Sequence, residues 1–247
     1  MRNLKAVSIG DLHFPFQDNK AIKLSMDFLK WYKPDYIFTH ELLDGYSISS
    51  FDKSPDRIGG LQEELDLAIV YLTELRRLNP NAKIFLLNSN HQDRFETYKK
   101  RIAKAFYTVR NLRIDFLLDL KKNNVKMAAE YILNNVLFIH GVSAGTNPSN
   151  TAFKKNMMSL VQGHAHRSGS NSFTTRKGFQ FAMNIGCLCD IEAVAKEYIK
   201  GPCQWTNGFG VVEWNNNRTY PTNIVFDNYS FKFGNKLFEI NDKLSPV

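Results

Sequence analysis

Ala6-Val7-Ser8-Ile9-Gly10-Asp11-Leu12-His13 is a short β-rich run that closes on a glycine and then presents a carboxylate and an imidazole. The same order recurs twice downstream. Tyr36-Ile37-Phe38-Thr39 leads into His40-Glu41, and the run Lys83 to Leu87 leads into Asn90-His91. Between the first two runs, Asp18 reads as the N-cap of a helix with Ile22, Met26 and Leu29 on one face, broken at Pro34-Asp35. Between the second and third, Leu61, Leu65, Ala68, Leu72 and Leu75 keep helical spacing up to Pro80. This βαβα opening predicts a parallel sheet whose loops at the strands' carboxyl ends build the functional site.

Beyond it, a helical stretch is expected over roughly Arg94 to Leu120. Tyr131-Ile132-Leu133 and Val136 to Ile139 then read as a hairpin around a tight Asn134-Asn135 turn. A short helix around Ala152 to Met158 precedes Leu160-Val161-Gln162. The last third is hairpin-like: Ser172 to Thr175, a turn at Lys177-Gly178, Phe179 to Asn184, then Gly210 to Trp214 and Asn223 to Phe226. There is no internal repeat and no low-complexity linker. The pattern predicts an α/β chain, two sheets sandwiched with helices outside, as a single domain over residues 1–247.

Of the 247 residues, 43% are hydrophobic and 13% aromatic, enough for a sizeable core. No apolar run approaches membrane-spanning length, and Met1-Arg2-Asn3-Leu4-Lys5 runs into a strand rather than a signal peptide. Cys187, Cys189 and Cys203 give no disulfide framework. Cys187-Leu188-Cys189 lacks the usual two-residue gap of a zinc pair and reads as small buried residues of a reducing cytoplasm. The net charge of +8 points to a polyanionic partner such as DNA or RNA. The densest basic stretch is Lys99, Lys100, Arg101 and Lys104, then Arg110 and Arg113, then Lys121, Lys122 and Lys126. It reads either as a solvated helix face or as a phosphate-backbone footprint beside the active site. Oligomeric state leaves no mark.

All six histidines sit in short motifs, most of them after a buried-strand pattern: Asp11-Leu12-His13, His40-Glu41, Asn90-His91, His140-Gly141 and Gly163-His164-Ala165-His166. Imidazole and carboxylate together suit a divalent transition metal. Asp11 and His13 alternate along what reads as an extended segment, so both can face one ion, and His164 and His166 do the same. Glu41 offers a carboxylate able to bridge two ions, and Asn90 an amide oxygen. Seven ligands and a bridging water would serve two ions about 3.5–4 Å apart, which would activate the water and clamp a phosphoryl oxygen. His91 is left to protonate the leaving oxygen or bind transition-state charge.

The order Asp-x-His, His40-Glu41, Asn-His, His, Gly-His-x-His resembles that of the calcineurin-like metallophosphoesterases, from about Lys5 to His166. The compact His-x-His-x-Asp-His run of metallo-β-lactamase-like enzymes and the His-Glu-x-x-His of zincins are both absent. Ile185 to Asp190 and Gln204 to Phe209 are similar to the tail of phage and prophage members, which implies a host-cytoplasm setting. The resemblance implies a four-layer αββα sandwich of two mixed β-sheets flanked by helices. It implies that Asp11, His13 and His166 hold the first ion and that Asn90, His140 and His164 hold the second. Residue 41 would bridge them, with His91 as the catalytic histidine. Two blocks depart from the family: Gly-Asp is expected where His40-Glu41 stands, and Gly-Asn-His-Asp/Glu where Ser89-Asn90-His91-Gln92 stands. Glu41 is one methylene longer than aspartate, and Asp44 is a possible substitute bridge. His40 is an extra ligand, a substrate contact or a strand-end polar residue. Ser89 replaces a glycine at modest strain, and Gln92 removes a carboxylate that would orient His91. Protein phosphatases of this superfamily carry an arginine after the second block, where Gly45-Tyr46 follows Asp44 here.

The implied function is a dinuclear phosphoesterase attacking with a metal-bridging hydroxide, with a phosphodiester of nucleic acid or nucleotide as substrate. The alternatives are a phosphomonoesterase on a small metabolite or phosphoprotein, and a low-activity protein that retains metal. Manganese suits the mixed donors best, with iron, zinc or nickel compatible.

Overall fold

The computed structural model describes residues 3–50, 60–199 and 201–240. Met1 and Arg2, part of the N-terminal reading above, lie outside them. The chain opens as β1 (Leu4–Gly10), α1 (Asn19–Tyr32), β2 (Tyr36–His40), α2 (Leu61–Leu78) and β3 (Lys83–Leu87). Next come α3 (Asn90–Arg101), α4 (Ile114–Leu117) and β4 (Val125–Ala128). β1 to β4 lie side by side and parallel. The hairpin β5 (Glu130–Leu133) and β6 (Val136–Ile139), α5 (Pro148–Asn156), β7 (Ser159–Gln162), β8 (Gly169–Thr175) and β9 (Gly178–Asn184) then build a second sheet. After α6 (Ile191–Tyr198) the chain returns. β10 (Gly208–Asn215) pairs antiparallel with β1, and β11 (Arg218–Val225) extends the first sheet. A last hairpin, β12 (Ser230–Phe233) and β13 (Lys236–Glu239), packs on α1.

Strand order is β11-β10-β1-β2-β3-β4 in one sheet and β5-β6-β7-β9-β8 in the other, and both sheets mix parallel and antiparallel pairs. Three apolar layers hold the sandwich. Val7, Ile9, Ile37 and Leu86 pack under α1 and α2 with Phe28, Leu29, Leu72 and Leu75. Ala6, Phe38 and Phe85 meet Phe138, Val161 and Phe181 between the sheets. Leu137, Leu160 and Ala182 face Ala152 and Phe153 of α5 on the far side. Helix, sheet, sheet, helix is the expected four-layer order. β2 and β3 are buried on both faces, and for that reason their sequences read as unbroken apolar runs rather than alternating ones. Among the described residues no helix is long and apolar enough to cross a membrane.

The stretch after β3 departs from expectation. Helix does not fill 94–120: α3 starts earlier and ends at Arg101, and the chain continues as short 3-10 turns and the four-residue α4. Phe106, Tyr107 and Val109 are exposed, so this stretch has no buried apolar stripe to sustain a packed helix.

Candidate metal centre

The candidate ligands converge at the carboxyl ends of the strands, but not by strand pleat. Asp11 and His13 have φ of 54° and 50°, Glu41 47°, and His164 and His166 66° and 56°. Five of the seven sit in the left-handed region, where a residue with a Cβ costs about 1–2 kcal/mol. The extended geometry expected for Asp11-x-His13 and His164-x-His166 is therefore replaced by tight turns. Neighbouring backbone fixes them: the amides of Asp11 and Leu12 donate to the carbonyls of His40 and Glu41, and the His164 amide donates to Asp11 Oδ2 at 3.0 Å.

Glu41, 1% exposed, stands in the middle. Its Oε1 lies 2.9 Å from His13 Nε2 and 3.8 Å from His166 Nε2, while Oε2 lies 2.7 Å from His140 Nε2. His13 Nε2 is 3.2 Å from His166 Nε2, and His140 Nε2 is 3.2 Å from His164 Nδ1 and 2.8 Å from Asn90 Oδ1. Two donor clusters result, His13–Glu41–His166 and Glu41–His140–His164, joined by one carboxylate. Asp11 Oδ1 is buried without a hydrogen bond, 3.9 Å from His166 Nε2 and 3.6 Å from His140 Nδ1.

Asp44 lies to the His13 and His91 side of Glu41. Its Oδ1 lies 3.1 Å from His13 Nδ1, behind the ring, where it would hold the Nδ1–H tautomer and aim Nε2 at the centre. His40 is fully buried and is not among the residues that line the cleft. Its Nδ1 sits 3.4 Å from Asp11 Oδ1 and 3.1 Å from His140 Nδ1. Its ring fills the space that a Cβ would need at Gly10 or Gly163. Ser89 is unstrained, with φ of −127°. It caps α3 by accepting the Gln92 amide, and its hydroxyl donates to Gln92 Oε1. His91 is oriented without a carboxylate at 92: its Nδ1 donates to the Asp44 carbonyl at 2.8 Å, and Arg94 Nη2 donates to its Nε2 at 3.0 Å.

The electrostatics follow the packing. Burial disfavours charge on His13, but the Glu41 and Asp44 carboxylates outweigh it and lift the imidazole to about 10. Burial also opposes the Asp11 charge, yet His166 and His40 hold its carboxyl down at about 2. Glu41 is likewise held well below the usual carboxylate range against its burial, by His91, His140 and His13. His91 goes the other way: burial, helped by His13 and Arg94, depresses it to about 3. Burial and the neighbouring His140 lower His164.

His13, Glu41, Asn90, His164 and His166 line a cleft of about 470 Å3, together with Arg94, Arg167, Tyr198 and Trp205, while Asp11 and His140 do not reach its lining. Sequence reading missed Arg94, Arg167, Tyr198 and Trp205. Arg94 had a signal, since it falls one helical turn after Asn90 and His91, and Trp205 lies within the phage-like tail. Nothing marked Tyr198, whose hydroxyl donates to Asp44 Oδ1 at 3.4 Å. Cys187 and Cys189 are fully buried, as expected, and come within ligand distance of His166.

No protein-family model matches the chain. It is similar to the Gene 54 proteins of Mycobacterium phages D29 and L5, at 23% and 24% identity, over 96% of this chain and 99% of each relative. Among solved structures it is similar to Vacuolar Protein Sorting 29 from Cryptosporidium parvum at 12% identity and TM-score 0.43, covering 91% of this chain and 98% of that one. It is also similar to a novel phosphatase from Mycoplasma pneumoniae at 11% identity and TM-score 0.40, covering 91% of this chain and 94% of that one.

Proposed function

We propose that the chain is a two-metal phosphoesterase of the calcineurin-like type that hydrolyses phosphodiesters of nucleic acid or nucleotides. The observation that carries this reading is the division of Glu41, one carboxylate oxygen facing His13 and His166, the other facing His140. The residues fit divalent ions. Imidazole, carboxylate and amide donors together suit manganese, iron, zinc or nickel, and Asp11 Oδ1, charged and buried without a hydrogen bond, is able to take a cation. Asp11, His13 and His166 would hold one ion, Asn90, His140 and His164 the other, and Glu41 both. Two such ions would lower the pKa of a shared water and polarise a phosphoryl oxygen.

The chain's own residues then have distinct work. Water oxygen bonds to phosphorus and gives up a proton to solvent, the bond to the leaving oxygen breaks, and that oxygen takes up a proton from solvent in return. His91 is held neutral, with Nδ1–H given to the Asp44 carbonyl and Nε2 occupied by Arg94. This supports charge stabilisation through Arg94 over proton donation from His91. Asp44 keeps His13 in its tautomer, and Tyr198 and Trp205 narrow the cleft around the ester.

Turnover of bis-p-nitrophenyl phosphate against p-nitrophenyl phosphate, with manganese, tests the reading. The diester should be preferred, and Arg94→Ala should lower kcat by roughly 100-fold while metal content stays. Preference for the monoester would move the assignment to a phosphomonoesterase. Failure to hydrolyse either, with two ions bound, would leave a metal-retaining binding protein.

A further inference from the structure

α3 leads away from the candidate metal centre along one face. Asn90, Arg94, Thr97 and Arg101 recur at i, i+4, i+7 and i+11, so they line up on one side of the helix. At 1.5 Å per residue the line runs about 16 Å. A second cleft of about 490 Å3, lined by Ile48, Asp93, Thr97, Tyr98 and Arg101, lies along it. It shares Asn90 and Arg94 with the cleft over the metal donors, so the two form one continuous path. Around Arg101 in the chain stand exposed Lys100 and Lys104 and exposed Phe106 and Tyr107, with the Lys100 ammonium 5.6 Å over the Tyr107 ring. At the other end stands half-buried Trp205, T-shaped against His166 with ring centroids 4.0 Å apart.

Guanidinium groups spaced along a groove, with an aromatic ring at the metal end and exposed aromatics shortly after Arg101 in the chain, suit an unpaired polynucleotide: cations for successive phosphates and π-surfaces for bases. We infer that this path binds single-stranded nucleic acid, with phosphates along Arg94 and Arg101 and bases against Trp205 and Tyr107. The inference rests on the phosphoesterase reading in one respect, that the phosphate to be cut lies over the metal donors. Burial of the donors favours the single strand. His13 and Glu41 are each 1% exposed, so the backbone must bend to bring one phosphate onto them, which costs a duplex deformation energy and a flexible strand little. Stacking likewise requires bases free of a partner.

Fluorescence anisotropy of a labelled, phosphorothioate-linked oligothymidylate, titrated with the full chain in manganese, tests this without turnover. The strand should bind more tightly than a duplex of equal length. Arg101→Ala should reduce the slope of log affinity against log salt by about 0.7, the share of one phosphate contact on a single strand. Trp205→Ala should weaken binding roughly 5- to 100-fold, and Trp205→Phe should restore most of it. Lys232→Ala, on the hairpin against α1, should change nothing. Equal sensitivity to Lys232 and Arg101 would mean bulk charge attraction only and would overturn the inference, as would a duplex preference or no binding. The two readings fail separately. Diester turnover without strand binding defeats this proposal alone, and strand binding without any turnover defeats the phosphoesterase reading alone.

Discussion

Glu41 is one methylene longer than the aspartate of the resembled pattern, and in the fold that reach spans from His13 to His140. Glu41→Ala should lose both ions, because two cations at short range would lose their shared anion. Asp44→Asn should weaken only the ion at His13, by about 10- to 100-fold, since Asp44 acts through that ring. Elemental analysis after dialysis against manganese reads both, and a doubly loaded Glu41→Ala beside a metal-free Asp44→Asn would exchange the two roles. Restoring the resembled Gly-Asp pattern, His40→Gly with Glu41→Asp, removes the His40 ring. The ring fills the gap between Gly10 and Gly163 and braces both Asp11 and His140. Removing it should cost about 2–5 kcal/mol, as other large-to-small core changes do, and should loosen the ion at His140. A melting temperature raised by the restored pattern would show His40 to be a burden rather than a brace.

At the scale of elements, α1 orients β1 and its Asp11-His13 turn, and Asp18 starts it by accepting the amides of Lys20 and Ala21. Tyr229 donates to the other Asp18 oxygen at 2.8 Å, tying the cap to the C-terminal segment. Asp18→Ala should therefore lower stability by about 1–2 kcal/mol in denaturant unfolding while leaving metal content unchanged. A variant as stable as the parent would mean the cap is replaced by water. Asp18 was legible because capping chemistry is local. So were β3, whose bounds match expectation, and the Asn134-Asn135 turn, where φ of 45° and 64° suits asparagine. β4 was not legible: four residues at a sheet edge carry too short an alternation. β12 and β13 hide for a similar reason, since Phe231 and Phe238 find their partners on α1, far off in sequence. α6 had a usable cap in Asp190 that went unread. For the site, residue types gave the donors, but the turns that gather Asp11, Glu41 and His164 depend on backbone from other strands, which no spacing rule encodes.

The whole molecule couples its protons to its metals. In the metal-free fold His13 is raised from 6.5 to about 10, so its contribution to stability is full below pH 6.5 and is lost as pH rises through 10. His91 is depressed from 6.5 to about 3, so its contribution is full above pH 6.5 and is lost as pH falls through 3. Asp11, lowered from 3.8 to about 2, adds a further loss at the acid end, below pH 3.8. Metal-free protein should therefore be most stable near pH 6.5, with His13 governing the alkaline side. A divalent ion at His13 Nε2 must displace the proton that Glu41 otherwise favours there, and metal binding releases protons for that reason. Melting temperatures with chelator and with manganese, followed upward from pH 6.5, should diverge, because the ion takes over the role that the proton gives up. Calorimetric titration of manganese in two buffers of different ionisation enthalpy should show at least one proton released per chain near neutral pH. A manganese-induced gain in melting temperature that stayed constant across this range, with no proton released, would mean that His13 is neutral before the metal arrives. Burial would then outweigh Glu41 and Asp44 at that ring.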